Sequence, residues 1–171
     1  MSQSIPLLLN PAKIFICTAL LSHLKTPAKP SLKGTTALLK ILFDDIAPSL
    51  ISEHLSWGSL DGRFYNDLLP LPYTDEVLQH MVNRVNQTQD LLSREILIEN
   101  PSSYLAFKQA DMSEPELLNQ LSQRSGCKLL LDLNNIYVSC SNMKTDPYKY
   151  LANIHWNQIR EVHLAGHTLK Q

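Results

Sequence analysis

Along this chain the spacing of apolar positions switches repeatedly between a short-run pattern and a helical one, and the switches mark an alternation of strands and helices. LLKILFDDI, Leu38 to Ile46, carries apolar residues at helical spacing and closes at Ala47-Pro48, because a residue before proline is driven out of the helical region. SLISEHLSW, Ser49 to Trp57, predicts a short buried strand that ends in Glu53 and His54. GSLDGRFYNDLLPLPY predicts a loop. Thr74 then stands as an N-cap, with Val77, Met81, Val82, Val85 and Leu91 on one face of the helix that follows. Ile96, Leu97 and Ile98 predict a second strand; it ends in Glu99 and Asn100, with Pro101 blocking further ladder bonds.

The pattern repeats with sharper punctuation. Ser113 and Glu116 form a capping box, and Gly126 closes the helix through Leu117, Leu118 and Leu121. The strand Lys128 to Leu133 runs into Asp132, Asn134 and Asn135. Asp146 and Pro147 predict the N-cap and first residue of a short helix through Tyr150 and Leu151. A last strand, IREVHLAGH from Ile159, carries His163 and His167. Four apolar strands separated by helices predict an α/β fold with a parallel sheet, in which ligands bind beyond the carboxyl ends of the strands. Every one of those ends carries side chains of metal-ligand type: Glu53 and His54; Glu99 and Asn100; Asp132, Asn134 and Asn135; His163 and His167. One such acid is commonly only a helix cap, but four successive polar strand ends predict a shared site whose desolvation cost a cation would offset.

Composition narrows the function classes. With 171 residues, 44% of them apolar, the chain can bury a core, and 15 Lys+Arg against 16 Asp+Glu leave a formal charge of -1. No broad basic field is available for a nucleic acid or an anionic membrane. Cys17, Cys127 and Cys140 form no CxxC pair and read as small apolar residues, which points to a reducing cytoplasm. Tyr65, Tyr73 and Tyr104 read as packing residues with solvated hydroxyls, and His23, His80 and His155 as surface or packing residues. The segment before Asp44 lacks acids. Its apolar run Ile14 to Leu21 is shorter than the ~20 residues of a membrane span, no signal cleavage site follows, and KTPAKPSLKG predicts a loop. Residues 1–37 are therefore set apart as a divergent segment, and residues 38–171 as the organised domain.

The segments SEHLSW, GRFYNDLLPLPYT, ILIENPSSY, MSEPELL, CKLLLDLNNIYVS, DPYKYL and EVHLAGH, in this order, resemble the multinuclear non-heme iron-dependent oxidative enzymes, long catalogued as an uncharacterised conserved protein family. The resemblance implies a TIM-barrel-like fold with two or three irons at its mouth, and an oxygen-using oxidoreductase that modifies cysteines of ribosomally made peptides beside a peptide-presenting partner protein. It also implies His54, Glu99, Asp132 and His163 as metal ligands, with Glu99 bridging, and Asn134, Asn135 or His167 as further ligands or supporting groups, while Glu53 and Asn100 stand as further candidates from the strand-end pattern. A full barrel has eight strands and about 250 residues. This chain predicts a truncated, partial barrel that lacks the first and last strands and some of their ligands. The alternatives are a metal-dependent isomerase- or phosphoesterase-like barrel, and a non-catalytic fragment that binds a partner or complementing chain.

Overall fold

A computed structural model describes residues 13–15, 32–60 and 63–166. Its elements are β1 (Lys13–Phe15), α1 (Leu32–Ile46), β2 (Leu50–His54), β3 (Trp57–Leu60), β4 (Arg63–Leu69), α2 (Asp75–Leu92), β5 (Leu97–Glu99), α3 (Glu114–Ser125), β6 (Lys128–Asp132), α4 (Leu133–Met143), α5 (Pro147–Ala152), a 3-10 turn (Trp156–Gln158) and β7 (Ile159–His163). Five of the strands form one sheet in the order β1-β2-β5-β6-β7, with every neighbouring pair parallel. Each of its crossovers between β2 and β7 contains a helix, the arrangement expected of a partial (β/α) barrel.

The helices begin and end for local reasons. Thr74 accepts a hydrogen bond from the Val77 amide at the start of α2, where Asp75 and Glu76 also face the positive end of the helix dipole. Ser113 and Asp146 cap α3 and α5 in the same way, each with proline in the first turn. The first helix stops at Ala47, whose φ of 50° is left-handed, immediately before Pro48. Gly126 ends α3 at a φ of 75°, a conformation glycine adopts without a Cβ penalty. Gln89 then fastens three elements together: its amide donates to the Ser125 carbonyl at 2.9 Å and accepts from the Ile96 amide at 3.2 Å.

Strand alternation divides the sheet's two faces. Ile51, Ile98, Leu129 and Leu131 lie on the face covered by helices, within a core that includes Leu78, Met81, Val82 and Val85 of α2 and Leu117, Leu118 and Leu121 of α3. Within α2, Leu78 and Leu92 are the fully buried neighbours of Val77 and Leu91, so the apolar stripe is rotated slightly from the predicted one. Cys127 and Cys140 are buried free thiols.

Three features differ from the sequence reading. The first helix begins at Leu32, inside the segment predicted as a loop. Lys13–Phe15, assigned to the divergent segment, pairs in parallel with Leu50–Ser52, so the sheet has one strand more than the four predicted. The predicted loop after Trp57 contains an antiparallel pair, β3 with β4, which Trp57 ties down by donating from Nε1 to the Pro70 carbonyl at 2.8 Å. Among the described residues no helix is long and apolar enough to cross a membrane.

Gly126 provides a test of the capping argument. An added Cβ would meet nothing within 4 Å, so Gly126→Ala costs only the left-handed backbone penalty. The expected loss is about 1 kcal/mol in urea denaturation.

Candidate metal centre

Parallel register brings the polar strand ends into two rows. His54 pairs with Glu99, Glu99 with Leu130, and Leu130 with Glu161; one step further along the same face Asp132 pairs with His163. Residues paired in register share a face, so His54, Glu99, Glu161, Asp132 and His163 all emerge on the side away from the helix-covered core. Glu53 alternates to the other face, level with Ile98. It is not among the groups that converge.

The convergence is close. His54 Nε2 lies 3.3 Å from one oxygen of Glu99, and His163 Nδ1 lies 3.6 Å from the other. The same His163 nitrogen is 3.7 Å from Asp132 Oδ2, while Nε2 on the far side of the ring is 3.7 Å from Glu161 Oε1. Glu99, Asp132 and His163 each offer a ligand atom, all within 4.8 Å of one another. Glu99 is only 4% exposed. Burial first, then the charges of Asp132 and Glu161, push its carboxyl up to about 7. Burial also lowers the pKa of His54, partly opposed by Asp132 and reinforced by His163. Carboxylates crowded beside imidazoles in a partly dry mouth are a donor set that a divalent cation would satisfy.

Asp132 serves both the fold and the site. One oxygen accepts from the Asn135 amide at 2.8 Å and caps α4, which begins immediately after β6. The other faces His163. Its backbone is held by the Asn100 side chain, which donates to the Asp132 carbonyl at 3.0 Å and accepts from the Asp132 amide at 2.8 Å. These two bonds take over from the strand ladder where β5 has ended. Asn135 donates from its amide to the Asn100 carbonyl at 2.9 Å, and Asn134 accepts from the Ala165 amide at 3.2 Å, anchoring the segment after β7. The three asparagines hydrogen-bond backbone, a positioning role beside the ligation also considered for them.

The four residues named as ligands, His54, Glu99, Asp132 and His163, are thus brought together, and His167 lies outside the described residues. Glu161 is the participant missing from the sequence reading. Its signal was strand alternation: two residues before His163, it must share that residue's face. Tyr73 also departs from expectation, since its hydroxyl donates to the buried carboxylate of Glu114 and is not solvated, whereas Tyr104 does keep an exposed hydroxyl, 2.9 Å from Asp67.

Sequence comparison places these residues in context. The family model described as RiPP precursor modification enzyme MbnB/TglH/ChrH matches residues 23–171. A UPF0276 protein of Psychromonas ingrahamii is 53% identical over 78% of this chain and 47% of its own length. UPF0276 proteins of Vibrio parahaemolyticus and an Anaeromyxobacter species are 51% and 49% identical, over 79% and 78% of this chain and 47% of each relative. The chain spans about half the length of the curated relatives it matches.

The raised Glu99 carboxyl makes a pH prediction for the metal-free protein. Between about 4.5 and about 7 the folded state holds a proton that the unfolded state has released, so this group's contribution to stability falls as pH rises through that window. Glu99→Gln removes the effect. The stability of the wild type relative to this variant should drop on the order of 2 kcal/mol from pH 5 to 8, measured by urea denaturation with a chelator present. A pH-independent difference would contradict the burial argument.

Proposed function

We propose that this chain, which belongs to the RiPP precursor modification enzyme family MbnB/TglH/ChrH, carries the iron site of an oxygen-dependent oxidase that modifies cysteine residues of ribosomally made peptides. The observation that carries the reading is the convergence of Glu99, Asp132 and His163, with His54 against the second oxygen of Glu99. Mixed imidazole and carboxylate donors suit iron, and several carboxylates offset more than one positive charge. When bound, iron would supply redox chemistry with oxygen and a Lewis-acidic position for a cysteine thiolate.

The chain's own residues divide that work. Glu99 has one oxygen toward His54 and one toward His163, the disposition of a carboxylate that can serve two cations. Asp132 and His163 would complete one site, and His54 would contribute to the other. Glu161 stands 3.7 Å beyond Nε2 of His163 and, with a cation at Nδ1, would favour the tautomer that keeps the proton on Nε2. Asn100 and Asn135 fix the backbone from which Asp132 projects. A cysteine-containing precursor peptide is the substrate of this reading, in a reducing cytoplasm where its thiols persist, with a partner protein presenting it.

An anaerobic Fe(II) titration tests the proposal. At least one iron per chain is expected, with affinity lost on Glu99→Ala and lowered roughly 10- to 100-fold on Glu161→Ala. Iron retained by Glu99→Ala would sink the assignment. A firm preference for zinc or manganese, with no oxygen uptake in the presence of a cysteine peptide, would favour an isomerase- or phosphoesterase-like chemistry.

A further inference from the structure

Between α3, α4 and α5 and the loops that precede α2 and follow β5 lies a cavity of about 540 Å³, lined by none of the residues of the metal centre. Its volume falls in the usual range for small-ligand sites. Leu71, Leu105, Phe107, Pro115 and Met143 make most of the wall apolar, and Leu105 and Phe107 are exposed enough to border an entrance. The polar end is built around Glu114, only 8% exposed, with Tyr73 and Tyr150 beside it. Tyr150 donates to one carboxylate oxygen at 2.7 Å, and Tyr73 donates to the other. Burial raises the pKa of Glu114, and the two phenol hydrogen bonds oppose that rise.

One buried group in this lining is left over. Of its two buried serines, Ser139 is engaged: its hydroxyl accepts from the Ser103 amide at 2.7 Å and donates to the Pro101 carbonyl at 3.4 Å. Ser103 is 6% exposed, and its own hydroxyl lies beside that of Tyr73 in no hydrogen bond of normal geometry. A buried hydroxyl without a partner is costly, and this one borders a cavity in place of packed protein. Ser103 and Glu114 both adjoin the Tyr73 hydroxyl. A single group entering beside that phenol therefore meets an uncommitted O–H donor together with carboxylate and phenol lone pairs.

Charge and shape define the occupant. Glu114 lies at the buried end, with Asp146 and Lys149 exposed at the margin, so the lining carries both signs and no field of one sign selects an ion. An anion would lie against the buried Glu114 carboxylate. A cation would exchange its hydration for a carboxylate whose two oxygens each already accept a phenol O–H. A neutral hydroxyl gives up less: it accepts from Ser103 and donates to a lone pair left on Glu114 or Tyr73. The rings of Tyr73, Phe107 and Tyr150 suit a flat aromatic body. We propose that this cavity binds a small uncharged aromatic alcohol, a phenol with an otherwise apolar body, whose hydroxyl pairs with Ser103 and with the Glu114 end of the lining. The site asks nothing of the metal centre and stands apart from the peptide-modifying reading.

The test uses single-ring probes, p-cresol, toluene, benzoate and benzylamine, titrated into the full chain with a chelator present and followed by ligand-observed NMR. The cresol should bind at least about tenfold more tightly than each of the others, because only it is neutral and both donates and accepts. Ser103→Ala removes a hydroxyl that has no partner in the fold, so it should not lower the urea midpoint. The same variant should weaken p-cresol about tenfold and leave toluene unchanged, the retained toluene reporting an intact cavity. Failure of p-cresol to bind, an equal or higher affinity for toluene, or tighter binding of benzoate or benzylamine would overturn the assignment. So would a Ser103→Ala chain that keeps the full cresol preference. Loss of toluene together with p-cresol in that variant would count against it equally, since recognition of the hydroxyl would then not be the cause.

Discussion

The buried carboxylate of Glu99 is the constraint around which this end of the sheet is organised. Its strand position puts it in register with His54 on one side and one diagonal step from Asp132 on the other, while β7 brings Glu161 and His163 onto the same face. Three acids this close repel one another, and burial denies Glu99 the water that would screen them. Such an arrangement is costly as a purely structural feature. Two imidazoles ease the cost only in part, since burial lowers the pKa of one of them, His54. The cluster, whose repulsion a cation would relieve, lies within residues 23–171, the span matched by a family of enzymes that modify precursor peptides.

Holding those acids in place falls to the asparagines. Strand β5 is three residues long and cannot brace β6 as far as Asp132 by backbone alone. Asn100 supplies the missing donor and acceptor from its side chain, and Asn135 returns a bond to the Asn100 backbone. Ser139 and Asn142 continue the same stitching along α4, holding the backbone of Ser103. The loop after β5 is thereby fixed to the helix after β6. An amide suits this role where a carboxylate does not, because it offers a donor and an acceptor without adding a charge beside Glu99.

Much of this was legible in the sequence because it depends on local signals. Caps at Thr74, Ser113 and Asp146 and the C-terminal Gly126 set helix ends through bonds within a few residues. The four candidate donors His54, Glu99, Asp132 and His163 could be placed together because parallel strands present their carboxyl ends on one side. What escaped depends on partners remote in sequence. Lys13–Phe15 carries too few residues to show a period, and only its pairing with β2 makes it a strand. Alternation with His163 gave the face of Glu161, but its approach to Glu99 depends on register against Leu130, which the sequence does not show. The hydroxyl of Tyr73 reaches Glu114, 41 positions away, a contact that no spacing rule encodes. The asparagines were recognised as polar strand ends, but which backbone groups they bind is decided by geometry alone.

A chain that covers about half the length of its relatives raises the question of which functions can reside in it. The donors themselves give an answer. Glu99, Asp132 and His163 come from three adjacent strands, β5, β6 and β7, with His54 on the strand next to β5. Their approach follows ladder register and the Asn100 clamp, both internal to residues 50–163. Metal affinity and catalysis are for that reason separable properties. A cation needs only a few well-placed donors, whereas oxygen chemistry on a peptide also needs a closed, dry mouth and a held substrate. Val162, on the face opposite His163, and Leu164, just beyond β7, are exposed. The donor cluster can therefore be studied in this chain on its own terms, apart from the enclosure that oxygen chemistry on a peptide requires.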